Sequence, residues 1–443
     1  MPVYSGGFGH AEAERLLWRA GFGPRPGDVE ALAAKGLRSA VLSLTRPGPE
    51  ELSGPAPTVD GEPLAPTDAW GHDHLWWLDR MVRSNRPLVE RMTLNWHDWF
   101  ATSRSGVDSA RLMLNQNQLL RRNALGNFGT LFMQITKDPA MLLWLSGSEN
   151  NKWSPNENYG REMMELFSLG ADRGYTEHDV RENARALTGW RNDWDDGVGP
   201  HRFRYDRTFH DSGVKRIFGK KGHFTWRDSV RMCIEHRQHP SFLVRKLWSY
   251  FVPTPPSAQT ARALEAMYVR GGRQIRPLVE AILMHPDFYG GPRMVKPPVV
   301  YIAGLLRATG RGIDRDDWTW ISDLAGQMLF HPPNVAGWDE SRWMDTATFR
   351  GRWVAANTAI DGLAIDPGKN PATSIEPPED ALASAVAFWG NPTLSDATRA
   401  ALVRFAQDAG ALADKKWKVG SYGVLRQNAL RMLVATSPDL QTC

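Results

Sequence analysis

Three observations predict an all-α fold. Apolar residues recur at three- and four-residue spacing through most of the chain. Several of these periodic segments open on a proline, and strand-like alternation is confined to one stretch near residues 201–222. Roughly nineteen periodic segments imply a multi-helix array, and a toroid of paired helices is one arrangement such a count permits.

The segments follow one another with few breaks. His10–Ala20, Gly27–Lys35, Ala69–Val82, Leu88–Ser103, Asp108–Leu125, Phe128–Lys137 and Ala140–Leu145 each line apolar side chains along one face. Pro155–Leu169 and Glu177–Leu187 come next, joined by a short turn holding Gly170 and Gly174. Then come Arg227–Glu235, Ser241–Phe251, Ala258–Val269, Ile275–Met284, Pro298–Ala308, Trp318–Met328 and Arg350–Ile360. Pro26, Pro240 and Pro298 stand at or near first turns, where the missing N–H costs nothing. The six prolines of 46–67 mark a surface excursion from a main domain spanning 1–365. DPGKNPATSIEPPE, 366–379, reads as a linker. Beyond it Asp380–Phe388, Leu394–Ala409 and Tyr422–Val434 form a C-terminal helical module, 380–443, packed on the main domain. The exception is His201–Gly222, where HRFRYD alternates, HDSG reads as a turn and VKRIFGKK as a second strand. This one short hairpin is basic, with Arg202, Arg204, Arg207, Lys215, Arg216, Lys220 and Lys221 against Asp206 and Asp211.

Composition narrows the class. With 443 residues, 42% hydrophobic and 23% charged, the chain can bury a large core and has ordinary globular balance. A net charge of +4 is too small to argue for specific nucleic-acid binding. Two cysteines, Cys233 and Cys443, exclude a disulfide framework and a cysteine-based zinc site. No stretch reaches the ~18 apolar residues of a membrane span, and no signal peptide is recognisable, so the reading is cytoplasmic. The 19 tryptophans stand out: most fit core packing, but indole faces also suit sugar rings. HExxH, Walker A, GxGxxG and GxSxG patterns are absent, which sets aside the enzyme classes they mark.

The densest chemistry lies in Ser154–Trp190, where seven carboxylates (Glu157, Glu162, Glu165, Asp172, Glu177, Asp179 and Glu182) sit on two helical segments. Some have simple explanations. Ser154-Pro155-Asn156-Glu157 and Thr176-Glu177-His178-Asp179 fit helix-capping patterns, and Arg161, Arg181 and Arg185 offer ion pairs. Glu162 and Glu165, three apart among Met163, Met164, Leu166 and Phe167, share one side of a largely apolar helix. Crowding and burial push such carboxyls apart in pKa, as general acid–base chemistry needs. His97, in the aromatic run NWHDWF, reads by itself as a core side chain, whereas His210-Asp211 with Lys215 sits at a polar turn.

Three functional classes follow. The leading one is a hydrolase on a glycan or other polymer, needing no cofactor, with Glu162, Glu165, Glu177, His97, His210 and Asp211 as catalytic candidates in an aromatic-lined cleft. Asn156, Glu157, Asn158, Arg161, Arg185, Lys215 and Trp190 are its substrate-binding candidates. The second is an enzyme using Glu, His and Asp to ligate a divalent metal. The third is a non-catalytic binding or assembly module held by an Arg–Glu network.

The sequence also resembles a known family. LLWRAGFGPRPGDVEAL, RMTLNWHDWFATS, KDPAMLLWLSG, PNENYGREMMELFSLG, YTEHDVRENARALTGW, FHDSGVKRIFG, MVKPPVVYIAGLLRATGRG and FHPPNVAGW are similar to blocks of the bacterial domain-of-unknown-function family 1800, over roughly residues 10–360. The resemblance implies that His97, Asn156, Glu157, Asn158, Arg161, Glu162, Glu165, Glu177, Asp179, Arg185, His210, Asp211 and Lys215 occupy signature positions. Many members carry a second histidine two residues after the first; Trp99 stands there in this chain, which weakens a histidine-pair metal site. The family implies no reaction.

Overall fold

The computed structural model describes residues 1–443. It is predominantly helical, with 23 α-helices and three short two-stranded ribbons. Most predicted segments appear within a few residues of their expected ends: Ala258–Arg270, Ile275–Leu283 and Pro298–Thr309 are examples. The helices absent from the sequence reading are short or masked. Gly36–Thr45 follows Asp28–Ala33 after only Ala34 and Lys35, so its period merges with its neighbour's. Arg104–Val107, Pro286–Gly290 and Pro438–Gln441 are single turns.

The β structure differs from the single hairpin expected. HRFRY does not pair with VKRIF. Gly199–Tyr205 pairs antiparallel with Trp190–Asp195, and Lys215–Ile217 pairs with Lys220–Gly222. Two local turns win over one long connection. Phe218 and Gly219 both take positive φ, 49° and 77°, the geometry that closes a two-residue hairpin on itself. WRNDWD looks like a loop because Asn192, Asp193 and Asp195 disfavour strands, but a β-bulge between Arg191 and Asp193 accommodates it.

Two apolar cores organise the helices. One gathers the helices between residues 10 and 45 with Pro87–Trp99, Phe128–Ile135, Glu157–Met164 and the 226–289 region. The other joins His72–Arg83, Pro298–Thr309 and Thr346–Ile360 to the C-terminal helices from Pro378 onward. The first helix, His10–Arg19, serves both, because Leu16 and Leu17 face one core while Trp18 faces the other. Buried arginines stitch the seams: Arg19 donates to the carbonyls of Phe251, Phe288, Pro292 and Cys443, and Arg352 to those of Trp343 and Lys296. These oxygens lie in the last turn of a helix or in the connecting segments, where no intrahelical donor serves them. No helix is long and apolar enough to cross a membrane.

Candidate functional site

The two acidic helices, Glu157–Met164 and Glu177–Ala186, lie against each other because Gly160 lets their backbones touch. A side chain there would stand 3.0 Å from Ala184 N and Val180 O, and Asn183 donates to the Gly160 carbonyl at 3.1 Å. Asn156, not Ser154, caps the first helix, its side chain accepting from Asn158 N at 2.9 Å while its own N–H donates to Asn150 Oδ1. Asn158 is exposed. The first helix continues into one turn of π-helix, Glu165–Leu169. Such turns widen the backbone and frequently mark functional sites.

Most of the seven carboxylates are committed to partners. Arg161 donates to both oxygens of Glu177 (2.7 and 2.6 Å) and reaches Glu157 at 3.7 Å. Asp179 completes the Thr176 capping box and accepts from Phe218 N at 2.7 Å, tying the 215–222 ribbon to the helix. Glu182 accepts from Arg185 and from Arg216 N. Glu165 accepts from the Tyr175 hydroxyl at 3.1 Å. Asp172 is exposed in the turn. Glu162 is half-buried with no hydrogen-bond or ion-pair partner. Burial, then the neighbouring Glu165, raises its carboxyl above the ordinary value, and Arg161 offsets this only in part.

A second group adjoins the first along the helix Glu177–Ala186. Arg185 grips Asp211 through Nε and Nη2 (2.7 and 3.3 Å). Burial opposes the Asp211 charge, but the hydrogen bond from Arg185 holds its pKa below the usual range. Lys215 is fully buried and clips the turn by donating to the Asp211 and Gly213 carbonyls. His210 Nδ1 lies 3.0 Å from the Thr188 carbonyl, which can only accept, so Nδ1 carries the hydrogen and Nε2 is the free nitrogen. Burial lowers its pKa. Trp190 is packed between Tyr205 and Trp226.

His97 belongs to a third group. Its ring is buried among Trp77, Phe330 and Trp338, with centroids 5.3–5.6 Å apart. Burial, and secondarily His331, pushes it down to about 3, and Nε2 has no partner. No hydrogen bond, ion pair or ring contact joins it to Glu162 or His210. The adjacent Asp98 is the residue that sequence reasoning missed. Its Oδ1 accepts from Trp338 N at 2.9 Å, so NWHDWF and FHPPNVAGW meet there. Burial raises the Asp98 carboxyl to about 6, and burial with Asp98 nearby raises that of Glu340. Lys246, lowered by burial to about 8, lies over the Trp99 ring at 4.5 Å and lines a cleft of about 710 Å³ with Phe242, Arg245 and Trp248. The signal was present in the sequence as a second polar residue within the same aromatic run.

The family described as "Protein of unknown function (DUF1800)" matches residues 15–442. The chain belongs to that family. The match extends past residue 360 to take in the C-terminal helices, in keeping with their place in the second core. No curated protein and no solved structure matches the chain. No group of three or more His, Cys, Asp and Glu side chains is arranged to hold a metal ion.

Proposed function

We propose that this member of the family is a hydrolase acting on a glycan or other hydroxyl-rich polymer by carboxylate acid–base chemistry, with Glu162 as the proton donor and Glu165 as its partner carboxylate. The observation that carries the reading is the state of Glu162. It is the half-buried carboxyl of the acidic pair of helices left without a partner, and its surroundings favour the protonated form. A general acid needs both properties. Tyr175 donates a hydrogen bond to Glu165, while the exposed Arg161–Glu177 pair bridges the two helices beside it. The exposed rings of Trp153 (68%) and Trp194 (64%), near the start of this helix and on the adjoining ribbon, offer stacking surface for sugars.

A second reading places the acid at Asp98, favoured by its raised carboxyl and by the adjoining Lys246-lined cleft. One experiment separates them. Neutral, cationic and anionic polysaccharides are incubated with wild type, Glu162→Gln and Asp98→Asn, and new reducing ends are counted. Loss of release in Glu162→Gln alone supports the leading reading; loss in Asp98→Asn alone transfers the chemistry to the cleft. Full activity in both variants, or no release by wild type from any polymer, overturns the proposal.

A further inference from the structure

A separate cavity of about 580 Å³ lies between the start of the proline-rich excursion, the end of the helix Ala110–Arg122 and the start of Ile275–Leu283. Five arginines line it: Arg46, Arg86, Arg121, Arg122 and Arg276. The one lining carboxylate, Glu50, is bound outside this set by Arg80. Arg46 is matched by Glu280 at 2.9 Å and Arg121 by Glu90 at 2.6 Å. The Arg86 guanidinium donates only to the Gly48 carbonyl, and the side chains of Arg122 and Arg276, both exposed, have neither a hydrogen bond nor an ion pair. The cavity therefore carries three cations without a counter-charge, in a concave wall that focuses their field.

Arg121 is neutralised: it is buried, 8% exposed, with Nε and Nη2 held by Glu90, and its unpartnered Nη1 is itself closed to solvent. The uncompensated charge at the cavity is therefore that of Arg86, Arg122 and Arg276. Guanidinium groups match the oxygen geometry of phosphate with paired N–H donors, and a space of this size suits a small molecule.

We propose that this cavity binds a small phosphorylated molecule with more than one anionic oxygen cluster, held by Arg86, Arg122 and Arg276. The site shares no residue with the acid–base groups above and stands or falls independently of them. The test is calorimetric titration of the full chain with inorganic pyrophosphate at fixed ionic strength, against sulfate and a single-stranded oligonucleotide. Saturable pyrophosphate binding that weakens at least ~10-fold in Arg122→Glu and in Arg276→Glu, the loss of one charge-assisted contact, is the expected result. Melting curves verify that these exposed substitutions leave the fold intact, and Arg245→Glu, at the other cleft, leaves affinity unchanged. Absence of saturation with pyrophosphate overturns the site. So does equal affinity for sulfate, or binding that both variants retain. Tighter, variant-sensitive binding of the oligonucleotide reassigns the cavity to a nucleic-acid backbone and likewise overturns it.

Discussion

Glu90→Gln tests a fully buried polar anchor of the fold. Glu90 is fully buried where the helices His72–Arg83, Pro87–Trp99 and Ala110–Arg122 meet. Its carboxylate accepts from Arg121 Nε and Nη2 (2.6 and 2.9 Å), Arg80 Nε (3.3 Å) and Trp77 Nε1 (3.1 Å). Burial opposes its charge, but the two guanidiniums outweigh burial and hold the carboxyl below its ordinary value. Glutamine keeps the size and removes the charge, leaving Arg121 buried without a counter-ion. Breaking a buried pair in this way costs about 3–5 kcal/mol. At about 2.1 cal/mol/K of unfolding entropy per residue, 443 residues give about 0.9 kcal/mol/K, so Tm should fall by about 3–5 °C in calorimetry at pH 7. The sign with pH is also fixed. A depressed carboxyl stabilises above its unfolded pKa, and that stability is lost as pH falls through the folded value. The gap between wild type and variant must therefore close in acid. A loss under about 1 kcal/mol, or a gap independent of pH, would refute the account and mean that water compensates the arginines.

Other outcomes follow from the same structure. Glu162→Gln should leave stability within about 0.5 kcal/mol of wild type or slightly higher, since it relieves repulsion from Glu165 and breaks no bond; a loss of several kcal/mol in urea unfolding would show a structural role. Gly337→Ala puts a methyl 2.2 Å from Asp98 Oδ1 at a φ of 94°, and should cost about 1–3 kcal/mol in the same assay. An unchanged midpoint would mean that the Trp338 turn is not pinned to Asp98. Burial holds His74 and His97, both facing His331, at about 3 and His239 at about 4. Between the unfolded pKa of about 6.5 and these values the unfolded chain binds more protons, so stability falls as pH drops through that window. His97→Leu should flatten the slope, and an identical slope would place the proton uptake elsewhere.

Helix existence was legible because burial of one face imposes a period that composition cannot hide, as in Ala258–Arg270 and Ile275–Leu283. Caps were less so. Thr176–Asp179 forms the expected box, but the first acidic helix starts at Asn156, since Asn competes equally well with Ser for that role. Pairing between segments is not written in local pattern, and the ribbon at 190–205 formed from a stretch whose residues disfavour strands. At the site, the acidic helices could be seen, but the choice of which carboxylate each arginine takes depends on side-chain reach in three dimensions. His97 and Asp98 show the limit sharply. Adjacent helical residues point about 100° apart, so the His97 ring packs among Trp77, Phe330 and Trp338 while the Asp98 carboxylate accepts from the Trp338 backbone N–H, and no sequence period distinguishes which. The cationic cavity was invisible for a simpler reason: its arginines are spread from Arg46 to Arg276.

The second core has a practical corollary. Its side chains come from both sides of the mostly exposed segment 366–379, with Trp18, Tyr301 and Ile302 on one side and Leu382, Leu402 and Leu430 on the other. The peptide link between them is therefore a tether, not the bond that holds the halves together. A protease nick within it should yield two bands on a denaturing gel and one species in gel filtration. Separately expressed pieces, each insoluble by its bared apolar face, should recover solubility only when made together, which would make this segment a natural place to split the protein into complementing fragments.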